Sequence, residues 1–226
     1  MSGADKELFP LKDNVESESL PVITWLIIAL NIFVFLIELS VGPQNIESFL
    51  QTYGLVPANF FAQLGPSAGM HILSSMFLHA GWGHLIGNMW FLFIFGDNVE
   101  DRMGHFRYLF FYLLAGLAAA LAQMFVSPGS HIAMIGASGA ISGVLGAYLL
   151  FYPDARVLSL VPMGYYSRTI EVPAIFFLGL WFVIQLFTGI IPLAAGMSQD
   201  NGGVAFWAHV GGFVFGIISC KIFDQG

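Results

Sequence analysis

Residues 132–151 read Ile-Ala-Met-Ile-Gly-Ala-Ser-Gly-Ala-Ile-Ser-Gly-Val-Leu-Gly-Ala-Tyr-Leu-Leu-Phe. The run is long enough to cross a bilayer, whose hydrocarbon core takes about 20 apolar residues of helix. Ser138 lies inside it, flanked by Gly136 and Gly139, and far downstream a second apolar run carries His209. A hydroxyl and an imidazole in two separate membrane-length segments point to a serine nucleophile and its base, working below the membrane surface.

The rest of the chain supports a membrane reading. It is 57% hydrophobic and 9% charged, against about a quarter charged in ordinary soluble domains. Its 226 residues have room for six spans and one long loop in a single bundle over residues 21–226, with no second domain. The first 20 residues are acidic, Asp5, Glu7, Asp13, Glu16 and Glu18 outnumbering Lys6 and Lys12, and read as a solvated, flexible cytoplasmic tail. This start does not resemble a secretory signal: it is acidic, the apolar stretch after it is long, and no small-residue cleavage site follows. Cys220 is the lone cysteine, so an intramolecular disulfide is ruled out and the residue reads as packing. Seven scattered basic residues make no nucleic-acid footprint.

Apolar runs occur at 22–40, 84–101, 106–126, 133–152, 172–193 and 203–222, the second interrupted by Asn88 and ended early by Gly96 and Asp97. Lys6 and Lys12 precede the first run, Arg102 and Arg107 lie between the second and third, Arg156 and Arg168 between the fourth and fifth, and Lys221 at the end. All seven therefore fall on one side of a six-span bundle, and the positive-inside rule makes that side, with both termini, cytoplasmic. The connection 41–83 faces outside, carries Phe49, Tyr53, Phe60, Phe61 and Trp82, and has helix-like spacing in Ile72, Leu73, Met76 and Phe77. It is expected to be a structured element lying partly in the outer interface.

In this arrangement Ser138 lies near the outer end of span four and His209 roughly 9 Å into span six, at 1.5 Å per residue. Gly139 and Gly143 form a GxxxG pair on span four, and Ala208, Gly212 and Gly216 a small-residue stripe on span six, so the two helices can approach closely enough for a hydroxyl to reach an imidazole. At the outer start of span two, His84 and Asn88 share a helical face by their i, i+4 spacing and can both donate toward one point, as an oxyanion hole requires. Each feature alone has a plainer reading, as helix packing, a back-bonded serine or a buried amide holding helices together; at one depth they form a site. Spans four and six hold no Asp or Glu near this depth, so the inference is a Ser-His dyad, with packing rather than an acid orienting His209. Gln123, near the outer end of span three, is expected either to hold the water for deacylation or to act as interhelical glue.

These residues closely resemble the rhomboid family of intramembrane serine proteases, of the bacterial, six-transmembrane-helix type. The resemblance is carried by Gly136-Ala137-Ser138-Gly139, by His84 and Asn88 within Phe77-Leu78-His79-Ala80-Gly81-Trp82-Gly83-His84-Leu85-Ile86-Gly87-Asn88, by Ala208-His209-Val210-Gly211-Gly212, and by a Gly-x3-Glu-x3-Gly stretch at Gly96, Glu100 and Gly104. It implies an all-α membrane fold of six helices with a long outer loop between the first two. It implies that Ser138 attacks the scissile carbonyl, that His209 is general base and then acid, and that His84, Asn88 and the Ser138 amide hold the oxyanion. It further implies no cofactor and no metal, transmembrane protein substrates cut near the outer face, contact with membrane lipid, and residence in a bacterial inner (plasma) membrane. Many relatives carry a tyrosine against the histidine one turn after the nucleophile, where this chain has Ser142, so another group must support His209. Many also carry an arginine in the long first loop, where this chain has Met70 and His71.

Other membrane chemistries fit less well. The six histidines include no His-Glu-x-x-His spacing of a metalloprotease, and Asp97 has no intramembrane acid partner for aspartyl catalysis. A different class remains open: a non-proteolytic rhomboid-like chaperone or small transporter whose Gly-rich helices serve movement, with Ser138 and His209 lining a polar path.

Overall fold

The computed structural model describes residues 9–62, 66–163, 166–195 and 204–225. Among these, nine helices and three strands follow one another. They are β1 (Phe9–Asp13), α1 (Val22–Val41), α2 (Ile46–Tyr53), α3 (Pro57–Ala62), α4 (Pro66–Ser75), α5 (Trp82–Met103), α6 (His105–Val126), α7 (Ser138–Phe151), β2 (Arg156–Met163), β3 (Tyr166–Pro173), α8 (Ala174–Ala194) and α9 (Phe206–Phe223). Helices α1, α6, α8 and α9 are long and apolar enough to cross a membrane by themselves. Helix α5 is as long, but carries Asp97, Glu100, Asp101 and Arg102 at its far end.

The side chains say which surface meets lipid. On α6, Phe106, Phe110, Leu114, Leu117, Leu121 and Phe125 are exposed at helical spacing, while Tyr108, Phe111, Tyr112, Ala115 and Ala119 on the other face are fully or almost fully buried. An apolar stripe of that size on an outer surface is unfavourable in water and neutral in hydrocarbon. Helix α7 has no such stripe: Gly139 to Tyr148 are buried without interruption, so it runs through the middle of the bundle. Hydrocarbon surroundings offer no hydrophobic drive for helices to associate, so close backbone packing must supply it. A methyl on Gly212 would lie 2.0 Å from the Gly139 carbonyl oxygen, and one on Gly216 2.1 Å from that of Gly143. Helix α6 closes on the same seam, where a methyl on Gly143 would meet the Ala115 Cβ at 2.4 Å.

The far end of the bundle, opposite Ser138, is tied by buried polar groups. Glu100, with no exposed surface, accepts hydrogen bonds from the Ile23 and Thr24 amides at 2.8 and 2.7 Å, where α1 begins with free N–H groups. Its Oε1 also lies 2.6 Å from His105 Nδ1. Gly104, at φ +73°, makes the sharp turn between α5 and α6. The Gly96, Glu100 and Gly104 stretch therefore works as the joint of α1, α5 and α6. Arg102 pairs with Asp224 at 2.7 Å and ties the end of α9 to the same joint.

Three features depart from the sequence expectations. The apolar run 133–152 is helical only from Ser138; its 14 residues span about 21 Å, well short of a bilayer core of about 30 Å. Residues 133–136 are instead non-helical chain leading to Ala137, the N-cap of α7, and are pinned by antiparallel bridging of Met134 to Leu55 and by the Gly136 amide donating to the Ser75 carbonyl at 2.9 Å. The long connection holding α2, α3 and α4 is thus the brace for the segment entering α7. Second, residues 9–20 are not a solvated tail. Strand β1 joins β2 and β3 in an antiparallel sheet of order β1-β2-β3, with Asp13 opposite Val157 and Val161 opposite Arg168. Trp90 donates to the Pro10 carbonyl at 2.7 Å, Tyr148 to Asp13 at 2.5 Å, and the Glu18 and Ser19 amides to Asp101. Residues 1–8, the remainder of that tail, lie outside the described residues. Third, that sheet is strand structure added to a fold expected to be all helix.

Candidate active site

Ser138 is the first residue of α7, which leaves its backbone N–H without a helical acceptor and puts its side chain at the positive end of the helix. Its Oγ lies 2.7 Å from His209 Nε2. The approach is possible because α7 and α9 meet backbone to backbone at Gly139 and Gly212 one turn below. His209 Nδ1 lies 2.7 Å from Gln185 Oε1 on α8, and the Trp181 ring, one turn earlier on α8, sits 5.9 Å from the imidazole at a 34° tilt. The histidine is therefore held on three sides, by α7, by α8 and by its own helix.

The oxyanion candidates come from α5. Gly136, two residues before the nucleophile, has φ +119°, a conformation that disfavours any side chain. A methyl there would lie 2.7 Å from His84 Cε1, 2.8 Å from His84 Nε2 and 3.7 Å from Asn88 Nδ2. Both polar groups thus point at the chain that delivers Ser138. The Ala80 amide donates to His84 Nδ1 at 3.4 Å, which leaves the ring proton on Nε2, the nitrogen facing Gly136. Asn88 is 7% exposed, and its buried Nδ2 has no acceptor among the described residues; such an orphaned donor costs roughly 1–3 kcal/mol and is what a site awaiting an anion would carry. His84, Asn88, Ser138 and His209 all line a cavity of about 890 Å³ that reaches inward past Phe91, Leu145 and Trp181.

Two other sequence candidates take different places. Gln123 accepts a hydrogen bond from the Trp207 amide at 3.1 Å, capping the first turn of α9, and does not line the cavity; it occupies the position of interhelical glue. Ser142, fully buried, donates to the Ser138 carbonyl at 2.6 Å, so it bonds back into its own helix and leaves His209 to α8. Gln185 escaped the sequence reading because a single glutamine in a 21-residue apolar helix has no spacing that links it to His209. The signal present was the unmet need for a support in place of tyrosine.

A sequence model of the Rhomboid domain matches residues 66–224. The chain is 32% identical over 200 residues to Rhomboid protease GluP of Bacillus subtilis, covering 88% of this chain and 34% of that protein. It is 28% identical over 190 residues to Rhomboid-like protein 11, chloroplastic, of Arabidopsis thaliana, covering 81% and 62%. Against Rhomboid protein 1, mitochondrial, of Saccharomyces cerevisiae it is 27% identical over 174 residues, covering 75% and 45%. The chain thus spans from about a third to under two-thirds of the length of these curated relatives.

Proposed function

The chain belongs to the rhomboid family, and from that premise we propose that it is an intramembrane serine endopeptidase cleaving membrane-spanning proteins near the outer face of the bilayer. The observation that carries this is the 2.7 Å contact of Ser138 Oγ with His209 Nε2 at the mouth of a short helix, in a cavity shared with two side chains able to donate hydrogen bonds. In the first step Oγ attacks the scissile carbonyl carbon while its proton passes to His209 Nε2. The carbonyl oxygen takes the negative charge, met by the Ser138 N–H, His84 Nε2–H and Asn88 Nδ2–H. The C–N bond then breaks as the imidazolium returns its proton to the departing amine. Water attacks the acyl-enzyme with His209 again as base, releasing the carboxyl fragment and restoring Ser138.

Geometry supports this assignment in two further ways. The chain entering α7 is not helical before Ala137, so no preceding helical turn covers Ser138 and the cavity beside it, lined also by Ala133 and Ile135, has room for a substrate segment. The cavity walls are largely apolar below the nucleophile, as suits a substrate leaving a lipid environment. The distribution of the basic residues supports an outer-leaflet cavity with both termini in the cytoplasm.

The test is incubation of the purified protein in proteoliposomes with a panel of single-span substrates, beside Ser138→Ala and His209→Ala, with fluorophosphonate labelling in parallel. Cleavage and labelling by the natural chain, reduced at least about a thousandfold in both variants, is the expected result. Cleavage that survives Ser138→Ala would remove the nucleophile assignment; no cleavage and no labelling by the natural chain would favour the non-proteolytic reading.

A further inference from the structure

Resting on that reading, we propose that Gln185 is a positioning residue for His209, its side-chain carbonyl holding the imidazole in the Nδ1–H tautomer and turning Nε2 toward Ser138. For Nε2 to accept the Ser138 proton it must carry none of its own, so the ring proton belongs on Nδ1. Nδ1 faces Gln185 Oε1 at 2.7 Å, a distance at which the amide oxygen accepts that proton. Among the described residues no other hydrogen bond to Nδ1 is present.

The neighbours explain why an amide on α8 does this work. Ser142, one turn below the nucleophile, is turned into its own helix and offers His209 nothing. Trp181 lies four residues before Gln185, on the same face of α8, with its ring against the imidazole. One side chain thus limits tilt while the other fixes rotation and tautomer. A carboxylate could accept the same proton, but its charge would be costly at this depth. An amide accepts without that cost, and it does not raise the basicity of the imidazole as an anion would.

The measurement uses full-length protein carrying Gln185→Leu or Gln185→Glu. It follows the fluorophosphonate labelling rate across about pH 5–9, together with the ¹⁵N NMR signature of the His209 tautomer and the thermal midpoint. His84 and Glu47 line the same cavity and are the same in every variant, so differences between pH profiles belong to position 185. Gln185→Leu should lower the labelling rate about 10- to 100-fold and convert the Nδ1–H signal to a tautomer mixture. Gln185→Glu should keep most of the rate while its acidic limb moves to higher pH, because an ionised neighbour favours the imidazolium. Should Gln185→Leu lower the midpoint, the Gln185→Glu limb and the tautomer signal still decide. A Gln185→Leu protein with an unchanged tautomer, or a Gln185→Glu protein with an unshifted acidic limb, would overturn the proposal. Failure of the proteolytic reading shows separately, as a natural chain lacking Ser138-dependent labelling, and the tautomer measurement is readable in either case.

Discussion

His79 stands five residues before His84 in the stretch that carries the family resemblance, yet its work is structural. It is 2% exposed, its amide donates to the Glu38 carboxylate on α1 at 3.1 and 3.2 Å, and its ring packs edge-on against His84 at 5.1 Å. Burial, with His84 alongside, pushes its pKa down to about 4 from about 6.5 in an unfolded chain. The folded protein therefore keeps His79 neutral while the unfolded chain gains a proton below about pH 6.5, so stability falls as pH drops from there toward 4. The full shift is worth about 3 kcal/mol. Between pH 7 and pH 4.5 the thermal midpoint of the natural chain should fall relative to that of His79→Gln, which keeps the backbone bond to Glu38, the comparison cancelling the titration of every group the two proteins share. Identical slopes would show that His79 is not the group being titrated. The same residue marks how far single positions were legible in the sequence. Ser138, His209, His84 and Asn88 could be singled out as candidates because each is a polar group at an unusual place with a definite spacing to another. Gln185 could not, because its meaning depends on the angle at which α8 meets α9, which no local pattern encodes.

At the scale of elements, the helices that face lipid were readable and the breaks between apolar segments were not. Hydropathy locates α1, α6, α8 and α9 to within a few residues, since lipid demands a continuous apolar surface. It cannot tell that 133–136 are non-helical while 138–151 are helical, because Ile, Ala and Met serve equally in both; the difference is set by Gly136 and by bridging to Leu55. The sheet was missed for a related reason. Ala155, Val157 and Ser159 are the buried alternate positions, and a polar serine in the third hides the period of two. Its partner β1 lies in an acidic stretch more than 140 residues away. What was readable is the small-residue seam, and its geometry makes a sharp prediction. Gly212→Ala adds one methyl 2.0 Å from the Gly139 carbonyl oxygen, with rigid backbone as the neighbour, so α7 and α9 must separate. Overpacking of this kind costs about 1–3 kcal/mol, and a displacement of about 1 Å between catalytic groups costs roughly a hundredfold in rate. Gly179→Ala on α8 adds the same methyl where nothing lies within 4 Å, and should leave labelling unchanged while stabilising the helix slightly. Equal thermal midpoints and labelling rates for the two variants would refute the close-packing account.

Over the whole molecule, two ends with opposite chemistry are connected by helices that alternate in direction. The starts of α5, α7 and α9 lie at the Ser138 end, and so do the last turns of α1 and α6, through Glu38 beside His79 and Gln123 beside Trp207. The opposite end holds Arg102, Arg107 and Lys221, with Arg156 just past α7, and it is where Arg102 and Arg107 both bond Asp224. Lys and Arg are retained on the cytoplasmic side during insertion, so the charge distribution and the alternation together predict that the Ser138 cavity faces outside. Two exposed turn residues test this without touching either end's contacts: Gly129, between α6 and α7, and Asp154, between α7 and β2. In a chain freed of its buried Cys220 by Cys220→Ser, Gly129→Cys should react with a membrane-impermeant maleimide on intact cells, and Asp154→Cys only after permeabilisation. The reverse pattern would invert the orientation and move the cavity to the cytoplasmic leaflet. Labelling of both from one side would break the alternation itself, because α7 would then enter and leave on the same face. Its 14 residues make that helix too short to span an undistorted core of about 30 Å, so the labelling of these two positions decides whether the non-helical chain at 133–136 supplies the missing depth. If it does, Ser138 sits below the surface because the polypeptide reaches the start of α7 by descending into the membrane before it begins to coil.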